Sequence, residues 1–233
     1  MTQRQIASLE AVPQRTARSR GLRAMALGFG IGSILFAVGA VLAADNAPEL
    51  PTCVVFAVGA VCFTAAAFVQ WRRAVAEGFL RGAAHPGLDW SNPDWLSAVA
   101  QLLGTLYFNV MTLRALALVV NPEHAHTDVW HPNVIGSVLF LISSVIALEP
   151  ESRFRRHTLV RGRSWWICWA NMLGSVFFAA SALAAKPTGL DPVSSALWNN
   201  GGTFFGAIGF LIAAVLLWPP ALHRLRAPAA RHH

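Results

Sequence analysis

The residues best suited to chemistry in this sequence carry no charge. Four amides, Gln101, Asn133, Asn171 and Asn199, each stand three residues before a glycine, and a hydroxyl follows that glycine at Thr105, Ser137, Ser175 and Thr203. The shared pattern is [NQ]-x-x-G-[ST]. On a helix, an amide and a hydroxyl four residues apart share one face, and the glycine beside them admits a close neighbour. The stripe is longest at Gln101, Thr105, Asn109 and Thr112. Two chemistries suit such a face. The groups can hydrogen-bond between helices as packing glue, worth about 0.6–2 kcal/mol each in lipid. Alternatively they line a polar pathway or a small-molecule pocket near a membrane midplane. No carboxylate accompanies them at that depth, which favours packing over ion coupling.

The ionisable candidates are fewer. Arg114 is the one charge well inside an apolar run, about 7–8 Å from the end of that run at helical rise. It can snorkel to headgroups, or bind an anion, a lipid phosphate or one of Glu123, Asp128 and Asp191. Downstream, His124, His126, Asp128 and His131 put imidazoles and a carboxylate close together, the donor types that Zn²⁺ or Cu²⁺ accepts. Their spacing matches no standard metal site. Cys53, Cys62 and Cys168 form neither a disulfide framework nor a ligand set, and read as small apolar residues. Nucleotide loops, nucleophile elbows and zinc-protease motifs are absent, so neither an enzyme nor a bound cofactor is expected.

The elements that must position these groups are membrane helices. Apolar residues make up 55% of the 233 and charged ones only 12%, about half the share a soluble surface needs. Mean hydropathy is +0.49. Six apolar runs of spanning length occur at 25–43, 52–71, 94–119, 129–148, 165–185 and 194–218. Asn92-Pro93-Asp94 reads as a helix start, and His131-Pro132, Lys186-Pro187 and Trp218-Pro219-Pro220 punctuate the later runs. Tryptophans gather at the ends, at headgroup level. Residues 1–44 also resemble a signal peptide with small residues at 41–44, but the first run is too long for a signal core.

Charge orients the six spans. Of 18 basic residues, 16 fall on the N-terminal arm, the loops after the second and fourth spans, and the C-terminal tail. Positive-inside bias then puts both termini in the cytoplasm. The expected organisation is a basic arm over 1–24, a membrane domain over 25–218 and a basic tail over 219–233. The fold class is an all-α polytopic bundle, built as three hairpins or as two inverted three-helix repeats. Each span carries a small-residue pair and aromatics, read as Gly32-Ser33 to Phe36, Gly59-Ala60 to Phe63, Gly104-Thr105 to Phe108, Gly136-Ser137 to Phe140, Gly174-Ser175 to Phe178, and Gly202-Thr203 to Phe205-Gly206.

The stretch from Gly32 to Phe36, with its acidic outer turn, and then Val55 to Phe63 running into Gln70-Trp71-Arg72, resembles the two-helix YrhK-like domain over about residues 25–73. Trp165 to Ser175 and Gly201 to Phe210 resemble uncharacterised actinobacterial multi-span membrane proteins. The resemblance implies an integral membrane protein of unknown biochemical function and supplies no catalytic residue.

The expected role is a non-enzymatic structural, assembly or regulatory component of a bacterial plasma membrane. The alternatives are a small-solute or ion transporter with a midplane polar pocket, and an outward-facing metal sensor using the histidine loop. Expected partners are the bilayer, anionic headgroups at the arginine-rich inner loops, and a second copy or another membrane protein. Nucleic acid is not expected, because no folded domain presents the basic residues.

Overall fold

A computed structural model describes residues 3–124, 128–154, 162–186 and 191–219, with side chains from 19 to 123, 128 to 149, 162 to 186 and 191 to 219. Its long elements are α1 (Gln3–Ala44), α2 (Glu49–Leu80), α3 (Pro93–Val120), α4 (Trp130–Phe154), α5 (Arg163–Ala184) and α6 (Pro192–Leu217). Short 3₁₀ turns occupy Pro86–Leu88 and Pro122–His124, and no strand occurs among the described residues. Each long helix contains a segment long and apolar enough to cross a bilayer. The chain therefore has the make-up of a multi-pass membrane protein.

The first two helices outrun their apolar segments. The span expected over 25–43 belongs to a helix beginning at Gln3, and the span over 52–71 continues as helix to Leu80. Hydropathy marks only the lipid-facing part of a helix, and the Arg-, Gln- and Ala-rich turns beyond it have good helix propensity. The starts follow the expected chemistry. Asn92 Oδ1 accepts from Asp94 N–H at 3.1 Å, with Pro93 at the first helical position. Asp191 Oδ1 caps α6 in the same way, accepting from Ser194 N–H at 3.0 Å, again ahead of a proline.

The six helices form a closed ring in chain order: each packs on its sequence neighbours, and α6 returns to α1. Every adjacent pair runs antiparallel. Gly32 lies against Phe63 while Gly59 lies against Phe36, and Gly30 of α1 faces Ala214 near the end of α6. The aliphatic side chains are sorted inversely to a soluble bundle. Bulky aliphatics such as Leu27, Ile31, Ile34 and Val38 face outward, whereas Gly32, Ser33 and Ala40 face inward. Lipid is as apolar as leucine, so burying aliphatics gains little, and close backbone contact through small residues drives association instead.

Three hairpins build the ring, and each uses one reciprocal lock. A Cβ on Gly104 would meet Phe140 at 2.6 Å, and one on Gly136 would meet Phe108 at 2.6 Å. The pairs Gly32/Phe63 with Gly59/Phe36, and Gly174/Phe210 with Gly206/Phe178, repeat that geometry. Of the two organisations expected, the hairpin one matches this packing. The sixth copy of the motif sits one turn later than expected, at Gly206-Ala207 to Phe210 rather than at Gly202-Thr203. Of Gly202 and Gly206, Gly206 is the one followed by a phenylalanine at the fourth position, the spacing that reaches the partner helix.

Candidate functional site

The six phenylalanines meet on the bundle axis. Phe36, Phe63, Phe108, Phe140, Phe178 and Phe210 are each 2% exposed. Phe36, Phe108 and Phe178, from the odd-numbered helices, form a triangle with ring centroids 5.6–6.0 Å apart. From the even helices, Phe210 touches Phe63 at 5.9 Å and Phe140 at 5.5 Å. Antiparallel direction explains the two tiers. The phenylalanine lies four residues after its glycine, so it points towards opposite ends of the bundle in odd and even helices. The odd triad sits nearer the end holding Ala44 and Pro192, the even triad nearer the end holding Arg23 and Leu217. Together they fill the axis with apolar rings in tilted and edge-on contact, with Phe108 and Phe140 stacked at 5.0 Å.

Most of the expected polar residues are spent between neighbouring helices. On α3, Asn109 Nδ2 donates to Thr105 O at 2.9 Å and across to Thr64 Oγ1 of α2 at 2.5 Å. At the α4–α5 seam, Asn171 Nδ2 donates to Ser144 Oγ at 3.0 Å, and Ser175 Oγ lies 2.9 Å from that same hydroxyl. At α5–α6, Ser181 Oγ meets Asn199 Oδ1 at 2.9 Å and Thr203 Oγ1 at 2.8 Å. The amide and hydroxyl of [NQ]-x-x-G-[ST] thus act as a two-pronged clamp on one neighbouring serine in two of the copies. Ser137 Oγ donates to Phe178 O at 3.3 Å, while Thr105 and Thr112 bond back to Leu102 O and Asn109 O on their own helix. Asn133 is partly buried near the start of α4.

Gln101 behaves differently. It is 2% exposed, and its buried Oε1 has no hydrogen-bond partner. It lines a cavity of about 170 Å³ to which all six helices contribute, bounded on the axis by Phe210 of the even triad. Gln70 and Asn171 also line it. Ser97 and Ser143 stand in the wall but satisfy each other's helices, each hydroxyl donating to the other's backbone carbonyl at 3.0 and 2.9 Å. Sequence reasoning placed Gln101 on the polar stripe. It missed Gln70, Ser97 and Ser143 as its companions, because they lie outside the repeated motif.

Away from the axis, the charged candidates stay at the bundle ends. Arg114 is exposed and donates to the backbone carbonyl of Asp128 at 2.8 Å rather than to a carboxylate. Asp128 instead faces His131, with Oδ1 accepting from the backbone N–H at 3.2 Å and Oδ2 lying 2.8 Å from Nδ1. The backbone N–H of His131 chiefly holds the Asp128 carboxyl below its ordinary range, with the imidazole adding to it. His126 and the His124 side chain lie outside the described residues, and among those described no three metal-binding side chains gather. At the other end, Arg23 and Arg163 line a crevice of about 620 Å³ between α1 and α6. Arg163 donates there to the carbonyls of Leu216 and Trp218. The remaining arginines of the fourth loop and the tail lie outside the residues with described side chains.

Comparison with protein-family models, curated proteins and solved structures gave no match to this chain.

Proposed function

We propose that this protein is a non-enzymatic structural, assembly or regulatory component of a bacterial plasma membrane, with both termini in the cytoplasm. The observation that carries this reading is where the polar motif goes. Asn109, Asn171 and Asn199 are consumed at three different helix seams, and the axis between those seams holds six phenylalanines. A turnover or coupling site would need such groups to converge on one space. The orientation rests on the arginine asymmetry, and anionic headgroups at the arginine-rich end are its natural complement. The YrhK-like reading of residues 25–73 stays a proposal beside it; in its favour, that stretch coincides with the first of three similar hairpins.

Small-solute transport is the second reading, and the cavity at Gln101 is what favours it. Thiol access separates the two. With Cys53, Cys62 and Cys168 replaced by alanine, single cysteines at 109 and 199 should resist a membrane-impermeant thiol reagent applied from either side. A cysteine at the exposed outer turn residue Asn46 should label from outside, and one at Gly87 from inside. Labelling at 109 would reveal a wet pathway through the phenylalanine tiers and turn the assignment to transport.

A further inference from the structure

We infer that the cavity around Gln101 is a one-sided binding pocket for a small neutral molecule bearing a hydroxyl. This goes beyond a packing role, since it gives the bundle a ligand. The argument starts from the orphan. An amide oxygen buried to this degree without a partner is unfavourable, and native proteins rarely leave one unless something absent from the protein itself satisfies it. Gln101 lies in the inward half of α3, about 10 Å along the helix from Phe108 at 1.5 Å per residue. Phe210 closes the cavity towards the phenylalanine tiers. The space is therefore a dead end towards the other side.

The wall defines the ligand. Among the described residues no carboxylate, guanidinium, ammonium or imidazole lines the cavity, so a charged guest would have no counter-ion there. Much of the lining is apolar, including Phe29, Ile167, Phe210 and Leu217. The hydroxyls of Ser97 and Ser143 are already engaged, which leaves the amides of Gln101 and Gln70, and of these it is Gln101 Oε1 that is fully buried without a partner and serves as the polar anchor. Such a lining favours an apolar body with one polar contact over a cluster of waters, each of which needs two to four partners. A hydroxyl is the best contact, because it is both donor and acceptor and suits the amide in either orientation. A cavity of roughly 150 Å³ in another protein holds benzene, so one of about 170 Å³ admits a phenol-sized ring.

Cys168 lines the same cavity and serves as a reporter. In full-length protein carrying Cys53→Ala and Cys62→Ala, reconstituted in nanodiscs, the rate of Cys168 modification by N-ethylmaleimide is measured with phenol or with near-isosteric toluene. Compared by their concentrations in the membrane, phenol should protect at about tenfold lower concentration than toluene, the worth of one buried hydrogen bond. Gln101→Leu should erase the difference between the two, and Gln101→Asn should retain part of it. Equal protection by phenol and toluene with Gln101 intact would make the cavity an apolar packing defect and overturn the assignment. Absence of protection by either would overturn it too, as a space that water alone fills. Neither result depends on a Gln101 variant folding, and neither bears on whether 109 and 199 are accessible from water.

Discussion

The glycines of the six spans are not equivalent, and the difference can be tested one methyl at a time. A Cβ at Gly136 would sit 2.6 Å from the Phe108 ring and 3.1 Å from Gly104 O, whereas one at Gly201 meets nothing within 4 Å. Gly136→Ala should therefore cost about 1–3 kcal/mol by overpacking. Gly201→Ala should be neutral or stabilising by up to roughly 1 kcal/mol, since alanine is the better helix former. Thermal unfolding of the two purified variants checks this, and equal shifts would mean the hairpin lock is not what holds the helices together. The seam polar groups make a related claim. A double-mutant cycle of Asn109→Ala and Thr64→Val should return a coupling of about 0.6–2 kcal/mol, and strict additivity would show their contact to be incidental. Five copies of the glycine–phenylalanine spacing were legible in the sequence. The sixth was not, because Gly202 and Gly206 lie one turn apart and the preceding Asn199 drew the register to the earlier one. A requirement for phenylalanine four residues on would have excluded Gly202 and left Gly201 and Gly206, of which only Gly206 has its phenylalanine buried. The union of Gln101 with Gln70 was not read, since Gln70 lies outside the repeated motif and only the register of α2 against its neighbour α3 brings the two together.

At the scale of the element, helix starts were the most legible feature, because capping is local chemistry. Asn92 caps as its sequence implies and Asp191 repeats that chemistry at α6, while α1 and the tail of α2 exceeded their apolar runs, because hydropathy marks only the lipid-facing part of a helix. The α6 cap carries a pH dependence. Hydrogen bonds from Ser194, side chain first and then backbone, hold the Asp191 carboxyl below its ordinary range. A carboxyl with a depressed folded-state pKa stabilises the fold above its unfolded pKa, and that contribution is lost as pH falls through the folded value. The melting temperature should thus fall as the pH drops below about 4. Asp191→Asn, a neutral but competent cap, should remove that part of the slope. What remains belongs in the same direction to Asp128, whose carboxyl is lowered chiefly by the His131 backbone. A variant whose melting curve kept the full slope would show the α6 cap to be idle.

At the scale of the whole molecule, the decisive contact is the one between the first and last helices. Hairpins of this kind can stack in an open row as easily as in a circle, and only the α1–α6 contact makes the ring finite. A ring leaves each helix two neighbours and lets three phenylalanines from alternate helices meet, although the backbones of α1, α3 and α5 do not touch. The same glycine and alanine surfaces could also close on α6 of a second copy, a swapped arrangement that small-residue seams permit. Gly30 and Ala214 distinguish the two. A Cβ built on Gly30 lies 3.8 Å from the Ala214 Cβ, the mean separation across a disulfide. Gly30→Cys with Ala214→Cys, in protein lacking its native cysteines, should oxidise to a cross-link within one chain. It would run as a monomer on a non-reducing gel and rejoin fragments cleaved at the α3–α4 loop. Cross-linked dimers instead would show that the ring closes between copies. The even triad, in which Phe210 of α6 meets Phe63 of α2 and Phe140 of α4 on the axis, would then be shared across subunits, and with it the pocket that Phe210 bounds.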